Sequence, residues 1–343
     1  MKKLILPVFF ALITTISYNV KAQDDTEPIV EGLQISGSVD TYYKYDFSGN
    51  TQIPTSFIGA QNSFGIGMVD LALSQSIGKA SFVGEVAFGP RADASAPGIV
   101  QNLYVSYQLA DKLSITGGFM GTYIGYEVIS PAGNFNYTTS YLFSNGPFQQ
   151  GGLKVDYSVS DRFGVMVGLF NEFDSYLNSD GGLDLGTQFY FMPTDGFDIY
   201  LNFVTSNDSG TEVDITTTYQ ITDAFMLGLN AANRTSGNFF NDVDGSGVNF
   251  FGTAIYAQYA FSDAVAIGFR GEHFTDDKGS IFGVTDTDTS VNSFTISGNI
   301  GSGPLKLIPE FRVDLSSEDI FTDGDSMPTT TAGQFILAAY YAF

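Results

Sequence analysis

The sequence predicts an all-β fold, a transmembrane antiparallel β-barrel of about sixteen strands, and three observations support it. Apolar and polar residues alternate in many segments of about ten residues, which is typical of strands that face lipid on one side and a lumen on the other. Short and long connections alternate along the chain. The chain is 43% hydrophobic and 15% aromatic, yet after the leader it has no apolar run near the ~18 residues that a membrane helix needs.

The first 22 residues have the pattern of a secretory signal peptide. Lys2 and Lys3 precede an apolar run, and Val20-Lys21-Ala22 is a small-residue cleavage site. We therefore expect export through the Sec pathway and a mature barrel domain over residues 23–343. Removal of the three lysines in the leader would change the formal charge from −23 to −26.

The acidic balance narrows the range of partners. The chain has 14 Lys and Arg residues against 37 Asp and Glu residues. Because nucleic-acid binding needs a basic surface, no nucleic-acid partner is expected. The same excess is compatible with an acidic outer surface or with a pore that prefers cations.

Seven short turns set the strand count. Each lies between two alternating segments and is built mainly from Asp, Gly and Ser, which tolerate the backbone angles of tight hairpins. The turns are Gly78-Lys79, Ala110-Asp111-Lys112, Ser160-Asp161-Arg162, Thr194-Asp195-Gly196, Thr222-Asp223-Ala224, Ser262-Asp263-Ala264 and Ser302-Gly303-Pro304. These turns join fourteen strands, and one further strand at each end gives sixteen, an even number that places both termini on one side. A missed or doubled hairpin would change the count to fourteen or eighteen.

Longer connections rich in Asn, Asp, Ser and Gly separate these hairpins. They lie near residues 48–63, 89–98, 123–150, 174–182, 205–210, 234–248, 274–290 and 317–332. Outer-membrane barrels have short periplasmic turns and longer extracellular loops. We therefore expect these connections at the outer face of the membrane.

Strand parity assigns charged side chains to the lumen. In the segment from Leu305 to Leu315, apolar residues alternate mostly with charged ones. A charge that faces lipid near the midplane costs roughly 2–4 kcal/mol, so the charged set is expected to face inward. The lumen charges assigned in this way are Lys154, Asp156, Arg270, Glu272, Lys306, Glu310, Arg312 and Asp314. Inward carboxylates outnumber inward cations along the strands, which predicts weak cation preference. The alternative is that these charges are ordinary solvated lumen residues that give the pore no sharp ion selectivity.

The last segment ends on an aromatic residue. Phe335, Leu337, Ala339, Tyr341 and Phe343 alternate with other residues, and Phe343 is the final residue. A terminal aromatic that closes an amphipathic strand resembles the signal by which outer-membrane barrels are recognised for assembly. We expect Tyr341 and Phe343 to serve this role toward the barrel-assembly machinery, with an ordinary last strand as the alternative.

The third long connection, residues 123–150, has an unusual content for a solvated loop. It carries only one charged residue, Glu127, and seven aromatic residues, Tyr123, Tyr126, Phe135, Tyr137, Tyr141, Phe143 and Phe148. Aromatic side chains in such number are expected to be buried, and loops of this length are usually functional. We expect the loop to fold into the lumen and narrow it. The predicted constriction comprises Tyr123, Tyr126, Glu127, Tyr137, Tyr141 and Phe143. A cap on the outer rim and a protein-contact surface are the alternatives.

Several stretches of residues 102–173 resemble a known family. They are Gly117-Gly118-Phe119, Tyr123-Ile124-Gly125-Tyr126-Glu127, Asn136-Tyr137-Thr138-Thr139-Ser140-Tyr141-Leu142-Phe143, Gly146-Pro147-Phe148, Gly151-Gly152-Leu153-Lys154-Val155 and Ser160-Asp161. This pattern resembles the OmpL-like β-barrel porins, the β-barrel porin 2 group of outer-membrane proteins. The resemblance implies a porin with an internal loop, and it does not indicate which solute passes. Our expectation is a channel through which small hydrophilic solutes or ions diffuse passively across the cell outer membrane. It brings no catalytic residues.

Other chemistry finds little support in the sequence. His273 is the one histidine, and no metal-ligand spacing surrounds it, so neither a metal nor a cofactor is expected. A hydrolase at the rim would have to use His273 with Ser290 or Ser293, and no nucleophile motif accompanies them. The protein is therefore not expected to be an enzyme. A non-conducting structural or adhesive barrel that binds partners through its acidic loops is the main alternative to a porin.

The expected partners follow from these assignments. They are outer-membrane lipid and lipopolysaccharide, the barrel-assembly machinery and small hydrophilic solutes. A further expected partner, left as an open alternative, is a second copy of the chain in a homo-oligomer.

Overall fold

The predicted alternation of strands and turns closes into a barrel in the computed structural model of the chain. The structure describes residues 32–59, 61–95, 98–178, 181–206, 209–237, 239, 248–284 and 286–343. The predicted signal peptide, residues 1–22, lies outside them.

Sixteen antiparallel strands form the wall, which confirms the predicted fold class and strand number. They are β1 (Gln34–Asp46), β2 (Ser63–Ile77), β3 (Ala80–Phe88), β4 (Val100–Ala110), β5 (Leu113–Gly121), β6 (Gln149–Ser160), β7 (Phe163–Phe170), β8 (Asp184–Thr194), β9 (Phe197–Thr205), β10 (Thr211–Gln220), β11 (Phe225–Thr235), β12 (Phe250–Ser262), β13 (Val265–Asp276), β14 (Thr289–Ile300), β15 (Leu305–Ser316) and β18 (Thr331–Ala342). Each barrel strand pairs with its neighbours in sequence, and β1 pairs with β18, which closes the barrel.

All seven predicted turns connect neighbouring barrel strands, and they lie at one end of the barrel. Gly78 and Gly196 occupy two of these turns with φ of 59° and 75°. A residue with a Cβ rarely adopts this left-handed conformation, which explains glycine at these sites.

The long connections lie at the opposite end. Loop 2 (residues 89–99) contains the short helix α1 (Pro90–Asp93), and loop 3 (residues 122–148) contains the helix α2 (Tyr141–Asn145). Loop 4 (residues 171–183) follows β7. Loop 8 (residues 317–330) contains the two-residue strands β16 (Phe321–Thr322) and β17 (Pro328–Thr329), which pair with each other.

Strand parity agrees with the sequence prediction. On β15, Leu305, Leu307 and Phe311 are exposed on the outer surface, while Glu310 and Arg312 are buried on the inner face. The same alternation around the barrel forms a continuous apolar outer belt and a polar inner face, as expected of a barrel in lipid. In the described part of the chain, no helix is long and apolar enough to span a membrane.

Candidate functional site

Loop 3 contacts the inner face of the barrel through one carboxylate on β15. The backbone N–H groups of Tyr137 and Thr138 donate to the two oxygens of Glu310, at 2.6 and 3.0 Å. Ser297 on β14 donates its hydroxyl to the same carboxylate at 2.7 Å, and Asn136 of the loop donates to Ser297 at 2.7 Å. Hydrogen bonds to an ionised carboxylate are stronger than neutral ones, so Glu310 is a strong attachment point for the loop.

A second carboxylate, on β13, binds the loop in the same way. Glu272 accepts the backbone N–H groups of Tyr141 and Leu142, at 2.9 and 2.8 Å. These residues begin α2, whose first N–H groups have no partner within the helix. Ser140 precedes them, and its hydroxyl accepts the N–H of Phe143 at 3.0 Å. The start of α2 is therefore capped partly by its own loop and partly by the barrel wall.

Two buried arginines bind the loop carbonyls. Arg270 donates to the carbonyl oxygens of Thr138 and Thr139, at 2.6 and 3.1 Å, and forms an ion pair with Glu127 at 2.5 Å. Arg312 donates to the Thr139 carbonyl at 2.8 Å and forms an ion pair with a carboxylate on its own strand, Asp314, at 2.8 Å. A buried guanidinium needs such partners because desolvation of an unpaired charge is costly.

The predicted constriction residues are mostly buried. Tyr137 and Tyr141 have no exposed surface, and their hydroxyl groups donate to Asp40 and to Asp314, the latter at 2.8 Å. Phe143, Tyr123 and Glu127 are also buried. Tyr123 donates to the Phe203 carbonyl at 2.9 Å. Tyr126 is half-buried and stacks on Tyr256 with a centroid separation of 4.2 Å. These aromatic side chains pack against the inner wall of the barrel.

The predicted lumen charges fall into two groups. Arg270, Glu272, Glu310, Arg312 and Asp314 are buried and bind loop 3. The other three make no hydrogen bond to loop 3. Lys154 and Asp156 form an ion pair at 3.2 Å with 26% and 36% of their side chains exposed, and Lys306 donates to the Gly301 carbonyl at 2.5 Å.

Sequence reasoning missed a third arginine, Arg91 in loop 2. Its side chain is buried, donates to the Tyr137 carbonyl at 2.8 Å, and lies 5.0 Å from the centre of the Tyr137 ring. The position follows a proline in the one-turn helix α1 of loop 2, where no strand alternation indicates in which direction the side chain points. Its one sequence signal is that it is the single basic residue of the long connection over residues 89–98.

The end of loop 3 is held by loop 4. Oδ1 of Asp174 accepts the backbone N–H groups of Phe148 and Gln149, each at 2.8 Å. Burial raises the pKa of Asp174 to about 6, against the lowering effect of these two hydrogen bonds. Arg234 lies over the Phe173 ring at 4.8 Å and donates to the Asn145 carbonyl at 3.2 Å. Loop 3 is thus bound at both its middle and its end.

The structure places His273 and Ser293 on opposite faces of the barrel wall, whereas Ser290, which pairs with Thr275, is on the same face as His273. Nδ1 of His273 lies 3.0 Å from the Asn292 side-chain oxygen. Ser293 is paired with Glu272, so it faces the lumen while His273 faces outward, and its hydroxyl donates to Asp314 at 2.6 Å. Within the described ranges, no group of three or more acidic, His or Cys residues is arranged to hold a metal ion.

The terminal aromatic closes the seam of the barrel. Phe343 and Gly37 exchange two backbone hydrogen bonds, each of 3.0 Å. The rings of Tyr341 and Phe343 lie 6.5 Å apart on the outer surface, where both are exposed. The last residue thus adds one more pair to the junction between β18 and β1.

Comparison with known proteins gives one family and a set of similar folds. Residues 32–343 match the family described as "Putative beta-barrel porin-2, OmpL-like". No curated protein matches the sequence.

Three solved structures illustrate the shared fold. Salmonella typhi OmpF, in a complex with daunomycin, has a TM-score of 0.64 and 13% identity, covering 92% of this chain and 100% of that one. The outer-membrane channel DcaP of Acinetobacter baumannii has a TM-score of 0.61 and 13% identity, covering 91% and 97%. Vibrio cholerae OmpT, described in a trimer form, has a TM-score of 0.60 and 12% identity, covering 91% and 99%.

Proposed function

The chain belongs to the OmpL-like beta-barrel porin-2 family, and from this premise we propose that it conducts small hydrophilic solutes or ions passively through an acid-rich lumen that loop 3 constricts. Family and fold make it an outer-membrane protein with a porin-like barrel. The class of solute, the constriction of the lumen by loop 3 and the ion selectivity are what we propose beyond this.

The attachment of loop 3 to mid-strand carboxylates carries the proposal. Glu310 is the sixth of the twelve residues of β15, so its side chain lies near half the height of the wall. A loop that capped the outer rim would find partners at strand ends and in other loops. The bonds from Tyr137 and Thr138 to Glu310 instead support a loop that enters the lumen.

An acid-rich solute path is the second part of the proposal. Glu85, Asp156 and Asp198 occupy inward strand positions and remain partly exposed, against Lys154 and Lys306. Arg234 is also inward and partly exposed, but its guanidinium is bound to the Asn145 carbonyl of loop 3. The more deeply buried charges bind loop 3 and are shielded from solutes. An excess of accessible carboxylates raises the local concentration of cations, so we propose weak cation preference.

Export and assembly complete the proposal. Residues 1–22 would direct Sec export, and Tyr341 with Phe343 would be recognised by the barrel-assembly machinery. Replacing Phe343 with Ala should lower the yield of heat-modifiable, folded barrel, and an unchanged yield would remove the residue from this role. Assembly into homo-oligomers is compatible with the trimer form of the Vibrio cholerae protein.

Planar-bilayer recording of the purified protein tests conduction directly. Discrete, ohmic single-channel steps are the expected result. The dense packing of loop 3 favours one other candidate, a non-conducting structural or adhesive barrel that binds partners through its acidic loops. Absence of discrete channels from protein that remains folded would support that candidate and contradict the porin role.

A further inference from the structure

A groove of about 470 Å³ lies in the wall near the long-loop end of the barrel. Strands β4 to β6 and the start of loop 4 line it. None of the lining residues is charged, and apart from Asn171 and the Tyr176 hydroxyl their side chains are apolar or absent. Cavities of this volume are large enough to hold a small organic molecule.

Strand pairing places the groove on the outer surface. Leu103 pairs with Phe119, and Phe119 pairs with Gly151, so the three residues form one row on one face of the sheet. Leu103 is 59% exposed, which makes this face the outer one. Gly151 contributes no side chain to the row, and the depression lies beside it.

Loop 4 forms the upper edge of the groove. The Tyr176 hydroxyl donates to the Val100 carbonyl at 3.0 Å, and the Tyr176 ring lies 4.5 Å from the Phe119 ring. The Asn171 amide donates to the Tyr176 carbonyl at 3.1 Å. These contacts fix Tyr176 across the long-loop end of the groove, while the exposed Leu153 and Leu169 continue the apolar surface below it.

We propose that this groove binds one acyl chain of a lipid from the outer leaflet. Its apolar floor is continuous with the lipid-facing belt, and its polar edge lies toward the long-loop end, which matches the orientation of an amphiphile in that leaflet. One liquid water occupies about 30 Å³, so the groove has room for a chain segment of about ten heavy atoms or more. Because no charged residue lines it, the chain rather than the headgroup is recognised. The site depends on the membrane location and not on conduction.

Tryptophan fluorescence can test the site because the chain contains no tryptophan. Leu153→Trp places a reporter beside the groove, and Ile255→Trp places a control on β12, elsewhere on the belt. The two positions are matched, with exposed fractions of 52% and 56%. Both variants are reconstituted in phospholipid with brominated acyl chains, which quench tryptophan, and are then exchanged exhaustively into unbrominated detergent.

The measured quantity is the tryptophan quenching that remains after exchange, which reports the lipid still bound beside each reporter. The reporter at position 153 should keep most of its quenching after exchange, while the control at position 255 should lose it. Adding Tyr176→Ala to the Leu153→Trp variant should abolish the retention, because it removes the upper edge while every residue of the barrel strands stays the same. Equal loss at both positions, or retention unaffected by Tyr176→Ala, would overturn the proposal.

Native mass spectrometry supplies a second measurement on the unmodified chain. After the same exchange, one retained lipid per chain is expected. A chain without bound lipid, or one whose groove is covered by a second copy, would overturn the proposal.

Discussion

Arg270 on β13 and Glu127 in loop 3 form an ion pair of 2.5 Å, with 0% and 4% of their side chains exposed. The pair joins a strand to a loop across 143 residues of sequence. Such a pair holds its geometry because neither partner has water as an alternative. The loss of stability when this pair is broken should therefore report how strongly loop 3 is attached to the wall.

Replacing Glu127 with Gln should destabilise the barrel strongly. Arg270 would remain buried without its nearest counter-charge, at a cost of about 3–5 kcal/mol. The temperature at which the barrel loses its compact, heat-modifiable form on gels should fall.

The matched control is Arg162→Gln, which breaks the exposed pair with Asp195, where 54% and 93% of the side chains are exposed. It should cost less than about 1 kcal/mol. Equal effects of the two substitutions would show that loop 3 is not held by the buried pair.

Substitutions of the two carboxylates that bind loop 3, Glu310 and Glu272, should have non-additive effects on the free energy of unfolding. Glu310→Gln and Glu272→Gln each leave at least one buried loop N–H without its acceptor, at about 1–3 kcal/mol. Once one attachment is lost, the loop is free to rearrange at the other, so the double variant should cost less than the sum of the singles. Denaturant titration of the four proteins measures this coupling, and strict additivity would argue for independent sites.

Asp174 should make the stability of the loop region depend on pH. Burial raises its pKa to about 6, whereas an unfolded Asp titrates near 3.9. Between about pH 4 and pH 6 the folded state binds more protons, so the free energy of unfolding falls as pH rises through that window and then levels off. The melting temperature of the wild type relative to Asp174→Asn should therefore decrease from pH 4 to pH 7. A difference that does not change with pH would contradict this titration.

Ion selectivity should follow the accessible carboxylates. In a salt gradient across a bilayer, the reversal potential should indicate weak cation preference, and Asp198→Asn should reduce it because Asp198 is partly exposed on the inner face of β9. Asp195→Asn, in a short turn outside the lumen, is the control and should leave the potential unchanged. Anion selectivity of the wild type would contradict the acid-rich path.

The wall of the barrel was predictable because its signals are local. A turn such as Asp195-Gly196 depends on the backbone preferences of its own residues, and strand parity depends on the nearest neighbours along the chain. Every predicted turn therefore joins two barrel strands. The parity of β15 likewise places Glu310 and Arg312 on the inner face.

The role of the inner charges was not predictable in the same way. Parity places Glu310 inward, but its bond to Tyr137 connects residues 173 positions apart and exists only after the barrel has closed. Strand parity thus suggested that eight charged residues face solutes in the lumen, whereas in the structure five of those eight bind loop 3. Arg91 escaped notice because a loop has no periodicity to show that its side chain turns toward Tyr137.

Single-channel conductance after deletion of residues 132–146 tests the central claim, that loop 3 constricts the lumen. The deletion removes α2 and the backbone groups that bind Glu310 and Glu272, while both ends of the loop remain. A matched deletion of residues 323–327 from loop 8 should leave conductance unchanged. The account predicts a clear increase in conductance for the loop 3 deletion alone, and a conductance equal to that of the wild type would contradict it.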